Sequence, residues 1–178
     1  MTEGSAARRF HPPREMTREG FVAKFGGVYE HFPKIAEAVW DRGLGEAEDT
    51  PDGLAATMAE IAAGLDEADK LTLIRNHPDL AGKTAIAGAL TEASKSEQAG
   101  AGLTSCTPEE FRRFQELNDA YKRKFGFPFI LAVGGRNRQE ILAAFEARME
   151  NDRETEFRTA LEQIDRIARM RLEAMVAS

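Results

Sequence analysis

Only three of the 178 residues are histidines, His11, His31 and His77, so imidazole-based proton transfer near neutral pH has few carriers. His77 stands in Asn76-His77-Pro78-Asp79, where the proline disfavours helical geometry in the residue before it and ends the preceding helix. An imidazole at a helix end beside a rigid residue has the oriented backbone and solvent access that a general acid or base requires. Its plainer reading is a side chain that bonds the last carbonyls of its own helix. His11 falls in a polar N-terminal stretch and His31 near a helix start before Pro33, so neither competes with His77.

Ser94-Lys95-Ser96-Glu97-Gln98 is the second candidate. Ser94 and Glu97 have the spacing of a capping box, which by itself only starts a helix. A helix start also offers N–H groups to an anionic or carbonyl-rich ligand, while Glu97 and Gln98 present a carboxylate and an amide together. Arg171 is the third. Phe157, Leu161, Ile164, Ala168 and Met175 form an apolar stripe that predicts an apolar residue at 171, and a guanidinium stands there. Burying that charge is expensive unless it meets an anion, either a protein carboxylate or a ligand. Arg169, about 120° from the stripe centre, is expected in solvent.

Cys106 is read as a small buried hydrophobe, and a single cysteine excludes an internal disulfide. No histidine pair has metal-ligand spacing, and Gly134-Gly135 lacks the context of a nucleotide loop, so no cofactor is expected. Lys122-Arg123-Lys124 reads as a solvated helix end.

The elements that must hold these groups are helices. From Thr17 onward apolar residues recur at spacings of three and four, first in Phe21, Val22 and Phe25, then in Ile35, Ala38 and Val39. Thr50-Pro51 opens a helix through Leu54, Met58, Ile61 and Leu65, and 68–75 forms a shorter one. Thr107-Pro108-Glu109-Glu110 combines a capping threonine, a first-turn proline and a glutamate placed to bond back, ahead of Phe114, Leu117 and Tyr121. Two more helices are expected over 137–148 and 152–176. The exception is 126–135, an apolar stretch between glycines with a proline inside, which reads as a strand or an extended buried loop. The expected fold is all-α: a flexible arm over 1–14, then one domain of about seven or eight helices over 15–178.

Composition narrows the function. With 30% charged and 42% hydrophobic residues the chain is globular, and a net charge of −6 with scattered basic residues argues against nucleic acid as a partner. No apolar run approaches the roughly 20 residues that span a bilayer, and the start is polar, so a cytoplasmic location without membrane attachment is expected. The ending Met175-Val176-Ala177-Ser178 does not match a peroxisomal tail.

Several motifs, in order, resemble the OHCU decarboxylase family. They are His77-Pro78-Asp79-Leu80-Ala81-Gly82-Lys83, Leu90-Thr91 with Ser94 and Glu97-Gln98, Ala101-Gly102-Leu103, and Lys124-Phe125-Gly126-Phe127-Pro128-Phe129-Ile130. The resemblance covers about residues 16–176. It implies a cofactor-free, all-helical, homodimeric enzyme of urate breakdown. Such an enzyme converts 2-oxo-4-hydroxy-4-carboxy-5-ureidoimidazoline to S-allantoin and carbon dioxide. By motif matching His77 corresponds to the catalytic histidine, and Glu97 is expected to orient it and bond the substrate hydroxyl. Pro78, Ser94, Lys95, Ser96, Glu97, Gln98, Phe129, Ile130, Leu131, Ala132, Val133 and Arg171 match ligand-binding positions. Thr104-Ser105-Cys106 and Gly134 depart from the family pattern. The alternatives are a non-catalytic helical module that binds a ureide or purine metabolite, and a helical interaction or DNA-binding regulator.

Overall fold

Short-range signals decide where the helices begin and end. The computed structural model of the chain describes residues 9–82 and 91–177. Among these residues there are eight α-helices, three short 3₁₀ turns and no strand. The helices are α1 (Arg18–Phe25), α2 (Lys34–Arg42), α3 (Pro51–Ala63), α4 (Glu67–Arg75), α5 (Glu92–Gly100), α6 (Pro108–Phe125), α7 (Arg138–Arg148) and α8 (Arg153–Ala177). No helix of the described residues is long and apolar enough to cross a membrane.

Capping accounts for several of the boundaries. Thr50 Oγ1 accepts the Gly53 N–H at 3.1 Å ahead of Pro51. Thr107 and Glu110 close both bonds of the expected box, at 3.1 and 3.0 Å, and Asn137 forms the same box with Glu140. Helix α6 ends at Gly126, whose φ of 81° is the left-handed conformation that glycine adopts without strain.

Contacts divide the chain into two units, Met1–Glu67 with Asp165–Ser178, and Ala68–Ile164. In the first, Phe21, Phe25, Tyr29, Ile35, Val39, Leu54 and Met58 are all buried, and Tyr29 donates to Asp165 Oδ1 at 2.8 Å. Burial, then the charge of Asp165, raises the Tyr29 pKa. The expected arm reaches into this unit. Residues 1–8 lie outside the described residues, but Phe10 is buried, its N–H donates to Asp49 O at 2.8 Å, and its ring meets Phe25 at 5.1 Å. The arm expected to be loose is therefore tied down over 9–14, because Phe10 has an apolar site to fill.

The second unit is built around Tyr121, whose ring meets those of Phe125, Phe127, Phe129 and Phe145 at 4.4–6.0 Å. Its hydroxyl donates to the fully buried Glu156 at 2.6 Å, and Glu156 also accepts from Arg148 and Asn151, each at 2.9 Å. Burial, reinforced by Glu156, raises the Tyr121 pKa.

The stripe on α8 agrees with the sequence expectation at Ile164, Ala168 and Arg171 and departs from it at its two ends. Glu156, Ala160, Ile164, Ile167, Ala168, Arg171 and Leu172 are buried, while Phe157 and Leu161 are half-buried and Met175 is exposed. Glu156 displaces Phe157 from the inner line because Arg148, Tyr121 and Asn151 satisfy its charge. Cys106 is only half-buried; its Sγ–H bonds Leu103 O at 3.3 Å, and desolvation raises its pKa.

Candidate active site

Helix α4 delivers His77. Its side chain is 7% exposed and its Nδ1 lies 3.0 Å from the carbonyl oxygen of Leu73, one helical turn back. A carbonyl only accepts, so the partner assigns the proton to Nδ1 and, in the neutral ring, the lone pair to Nε2. This bond is the one the helix-cap reading of His77 expects, and it fixes the orientation of the ring.

The chain after His77 turns tightly. Pro78 and Asp79 are half-buried, and Leu80, Ala81 and Gly82 are buried. Ala81 has a φ of 50°, a left-handed conformation that an L side chain rarely adopts. At Gly82 a Cβ would come within 2.8 Å of Asp79 Cβ, so only glycine fits the return of the turn. Side chains from two helices hold this backbone. From α5, Gln98 Oε1 accepts the Ala81 N–H at 3.0 Å, and its Nε2 donates to Asp79 O at 3.4 Å. From α6, Gln115 Nε2 donates to Ala81 O at 2.7 Å and Asn118 Nδ2 donates to Leu80 O at 3.0 Å, while Lys122 pairs with the Asp79 carboxylate at 2.7 Å.

Helix α5 starts earlier than the expected Ser94–Glu97 box. Thr91 is the cap, its hydroxyl accepting the Ser94 N–H at 3.2 Å, which places Ser94 inside the first turn. The register puts Ser94 and Gln98 on the buried side, Glu97 half-buried between them, and Lys95 and Ser96 in solvent. Lys83 and Leu90 of the matched motifs lie outside the described residues.

The apolar segment is an extended buried loop. Phe129, Ile130, Leu131, Ala132 and Val133 are each at most 6% exposed. Arg148 Nη1 donates to Ile130 O, its guanidinium carbon lies 4.3 Å from the Phe129 ring centroid, and Phe129 stacks on Phe145 at 3.9 Å. Gln163 Oε1 accepts the Ala132 N–H at 3.0 Å, and Arg136 bonds the carbonyls of Ala132 and Val133. Among the described residues the N–H and C=O of Leu131 and the N–H groups of Ile130 and Val133 make no hydrogen bond. Buried main-chain groups without partners are rare, and each costs about 1–3 kcal/mol. A ligand rich in N–H and C=O groups would satisfy them. Arg75, two residues before His77, donates to Gly126 O at 3.2 and 3.0 Å and so ties the end of α4 to the start of this segment.

Arg171 belongs to the first unit and is 8% exposed, as the stripe predicts. The anion it meets is Glu30, itself 1% exposed, at 2.8 Å, and Nη1 points to the carbonyls of Val28 and Gly27 at 3.3 and 3.5 Å. Arg169 is in solvent, paired with Asp52 and Glu173.

Sequence reasoning overlooked Gln115, Asn118 and Arg148. Asn118 had a readable signal: it falls on the buried line of Phe114, Leu117 and Tyr121, and a carboxamide there demands a partner.

The profile of the OHCU decarboxylase family matches residues 14–173. The 2-oxo-4-hydroxy-4-carboxy-5-ureidoimidazoline decarboxylase of Halalkalicoccus jeotgali is 39% identical over 158 residues, 89% of this chain and 86% of that protein. The uric acid degradation bifunctional protein of Bacillus subtilis is also 39% identical over 158 residues, but the match spans only 31% of its length. The crystal structure of an (S)-allantoin synthase aligns with a TM-score of 0.73 at 33% identity, covering 92% of this chain and 52% of that one.

Proposed function

This chain belongs to the OHCU decarboxylase family and decarboxylates 2-oxo-4-hydroxy-4-carboxy-5-ureidoimidazoline in urate degradation, and we propose that His77 moves the proton. One observation carries the assignment. The bond from Nδ1 to Leu73 fixes the ring and so orients Nε2, to which we assign the proton exchange.

Loss of carbon dioxide from C4 leaves the electron pair of the broken bond to form C4=C5, while the C5=N pair moves to nitrogen, which takes a proton. The enol O–H then gives up its proton as C4=O forms, and C5 gains one, yielding allantoin. The substrate supplies its own electron sink. His77 serves the transfer between the C4 hydroxyl and the ring, and protonation from one face of C5 sets the S configuration. Glu97, half-buried on α5, orients this exchange and bonds the substrate hydroxyl. The unpartnered main-chain groups of 130–133 bind the ureido and ring amides, a good match in a segment closed to water. Pro78 shapes the turn after the histidine, while Ser94 to Gln98 supply the α5 side of the site, with Gln98 acting through the backbone it holds. Arg171, which the resemblance matches to a ligand-contacting position, lies in the first unit with its charge held by Glu30. The family resemblance implies a homodimer that works without a cofactor, and the polar start of the sequence fits a cytoplasmic location.

The test is to generate the unstable substrate from urate with the upstream enzymes and follow optical activity. His77→Ala is expected to add nothing to the spontaneous rate, and S-allantoin formation at the wild-type rate would overturn the assignment.

A further inference from the structure

Three carboxamide side chains converge on three consecutive residues of backbone just after His77, and two costly local features accompany them. Ala81 holds a φ of 50°, a left-handed conformation that is strained for a residue with a Cβ. Asn118, 2% exposed, donates Nδ2 to Leu80 O, and its Oδ1 is buried without a hydrogen-bond partner among the described residues. Flipping the amide would bring two oxygens together, so the orientation is forced by Leu80. Strain and an unsatisfied acceptor within one turn are not what helix packing alone selects, and such features collect where a loop must keep one shape for function.

We propose that Gln115 and Asn118 are positioning residues of the decarboxylase. Holding Ala81 O at 2.7 Å and Leu80 O at 3.0 Å, they fix the 78–82 turn and thereby the end of α4 from which His77 reaches the substrate. Gln98 closes the clamp from α5 on the opposite polarity, accepting at the N–H of the same Ala81 whose carbonyl Gln115 binds. Neither α6 residue touches the reacting atoms. The proposal rests on His77 as the proton-transfer group, and a misplacement of about 1 Å of a reacting group can cost about a hundredfold in rate.

Gln115 is half-buried, so its substitution leaves the core intact. Gln115→Met keeps the length and removes the donor; Gln115→Glu restores a donor only when protonated. With substrate generated from urate and folded protein quantified by circular dichroism, Gln115→Met is expected to lower kcat by about tenfold or more with KM within about threefold. The kcat of Gln115→Glu relative to wild type is expected to rise as pH falls from about 7 to about 4.5, as its carboxyl regains the proton, while that of Gln115→Met stays flat. A kcat within twofold of wild type for Gln115→Met, a loss confined to KM, or a pH-independent ratio for Gln115→Glu overturns the proposal. His77→Ala run in parallel separates the two ideas. If it is inactive while Gln115→Met is normal, only the clamp fails; if it keeps the full rate, the assignment of His77 fails and the clamp with it.

Discussion

Arg171 and Glu30 form the most exposed energetic liability at the level of single side chains, because each is buried and each compensates the other's desolvation. Removing one partner leaves a charge without compensation, which costs about 3–5 kcal/mol. Glu30→Ala is therefore expected to lower the unfolding free energy in urea by that amount, with Glu30→Gln intermediate because it still offers an acceptor. If Glu30→Ala unfolds at the wild-type midpoint, the pair is not what keeps Arg171 buried. Gly82 is the backbone counterpart. Gly82→Ala must push a Cβ away from Asp79, and the resulting shift of the turn is expected to reduce turnover more than thermal stability, read from optical-activity rates beside a melting curve.

Elements differ in how much they owe to local chemistry. Helix α6 begins at a fully formed box between Thr107 and Glu110, so Thr107→Ala is expected to cost about 1 kcal/mol in urea unfolding while leaving kcat unchanged, since the cap lies far along the helix from Asn118. The 129–133 loop has no such local code. It is held by Arg148, Gln163 and the stacked pair Phe129–Phe145. Phe129→Ala is expected to cost about 3–5 kcal/mol and, if the loop binds substrate as proposed, to raise KM, because its main-chain groups lose the ring that fixes them. An unchanged KM in a folded Phe129→Ala protein would remove the loop from the binding surface.

Across the whole molecule, acid stability follows from carboxylates whose pKa is lowered in the folded state. The Thr107 N–H and then Arg138 hold Glu110 down; Arg18 does so for Asp41 and the Thr155 N–H for Asp152. Burial pushes Glu48 up, but bonds from the Gly45 N–H and the Thr57 hydroxyl outweigh it. A carboxylate with a depressed folded-state pKa stabilises fully above its unfolded value, around pH 4, and loses that contribution as pH falls through the folded value. Urea midpoints should therefore hold steady from pH 7 to about 5 and fall below about pH 4, with a shallower fall in Glu110→Gln. An identical acid limb in that variant would assign the dependence to other groups.

What the amino-acid order determined by itself is local. Thr50-Pro51, the Thr107 box and Asn137 set helix starts because their partners lie three residues away, and the Asn76-His77-Pro78 stop followed from proline sterics. Periodicity also put Arg171 on a buried line. Motif resemblance supplied the family and pointed to His77 as the proposed proton carrier. Tertiary structure decided the partners. Glu30 meets Arg171, and the clamp on the His77 turn comes from residues 34 and 38 positions away from the carbonyls they bind. The same holds for the α8 stripe, where Glu156 lies inside because Tyr121, 35 residues away, donates to it together with Arg148 and Asn151. Helix periodicity and capping act within about one turn of the chain. Hydrogen bonds and ion pairs between buried groups depend on which faces meet after folding, and that choice is made by packing.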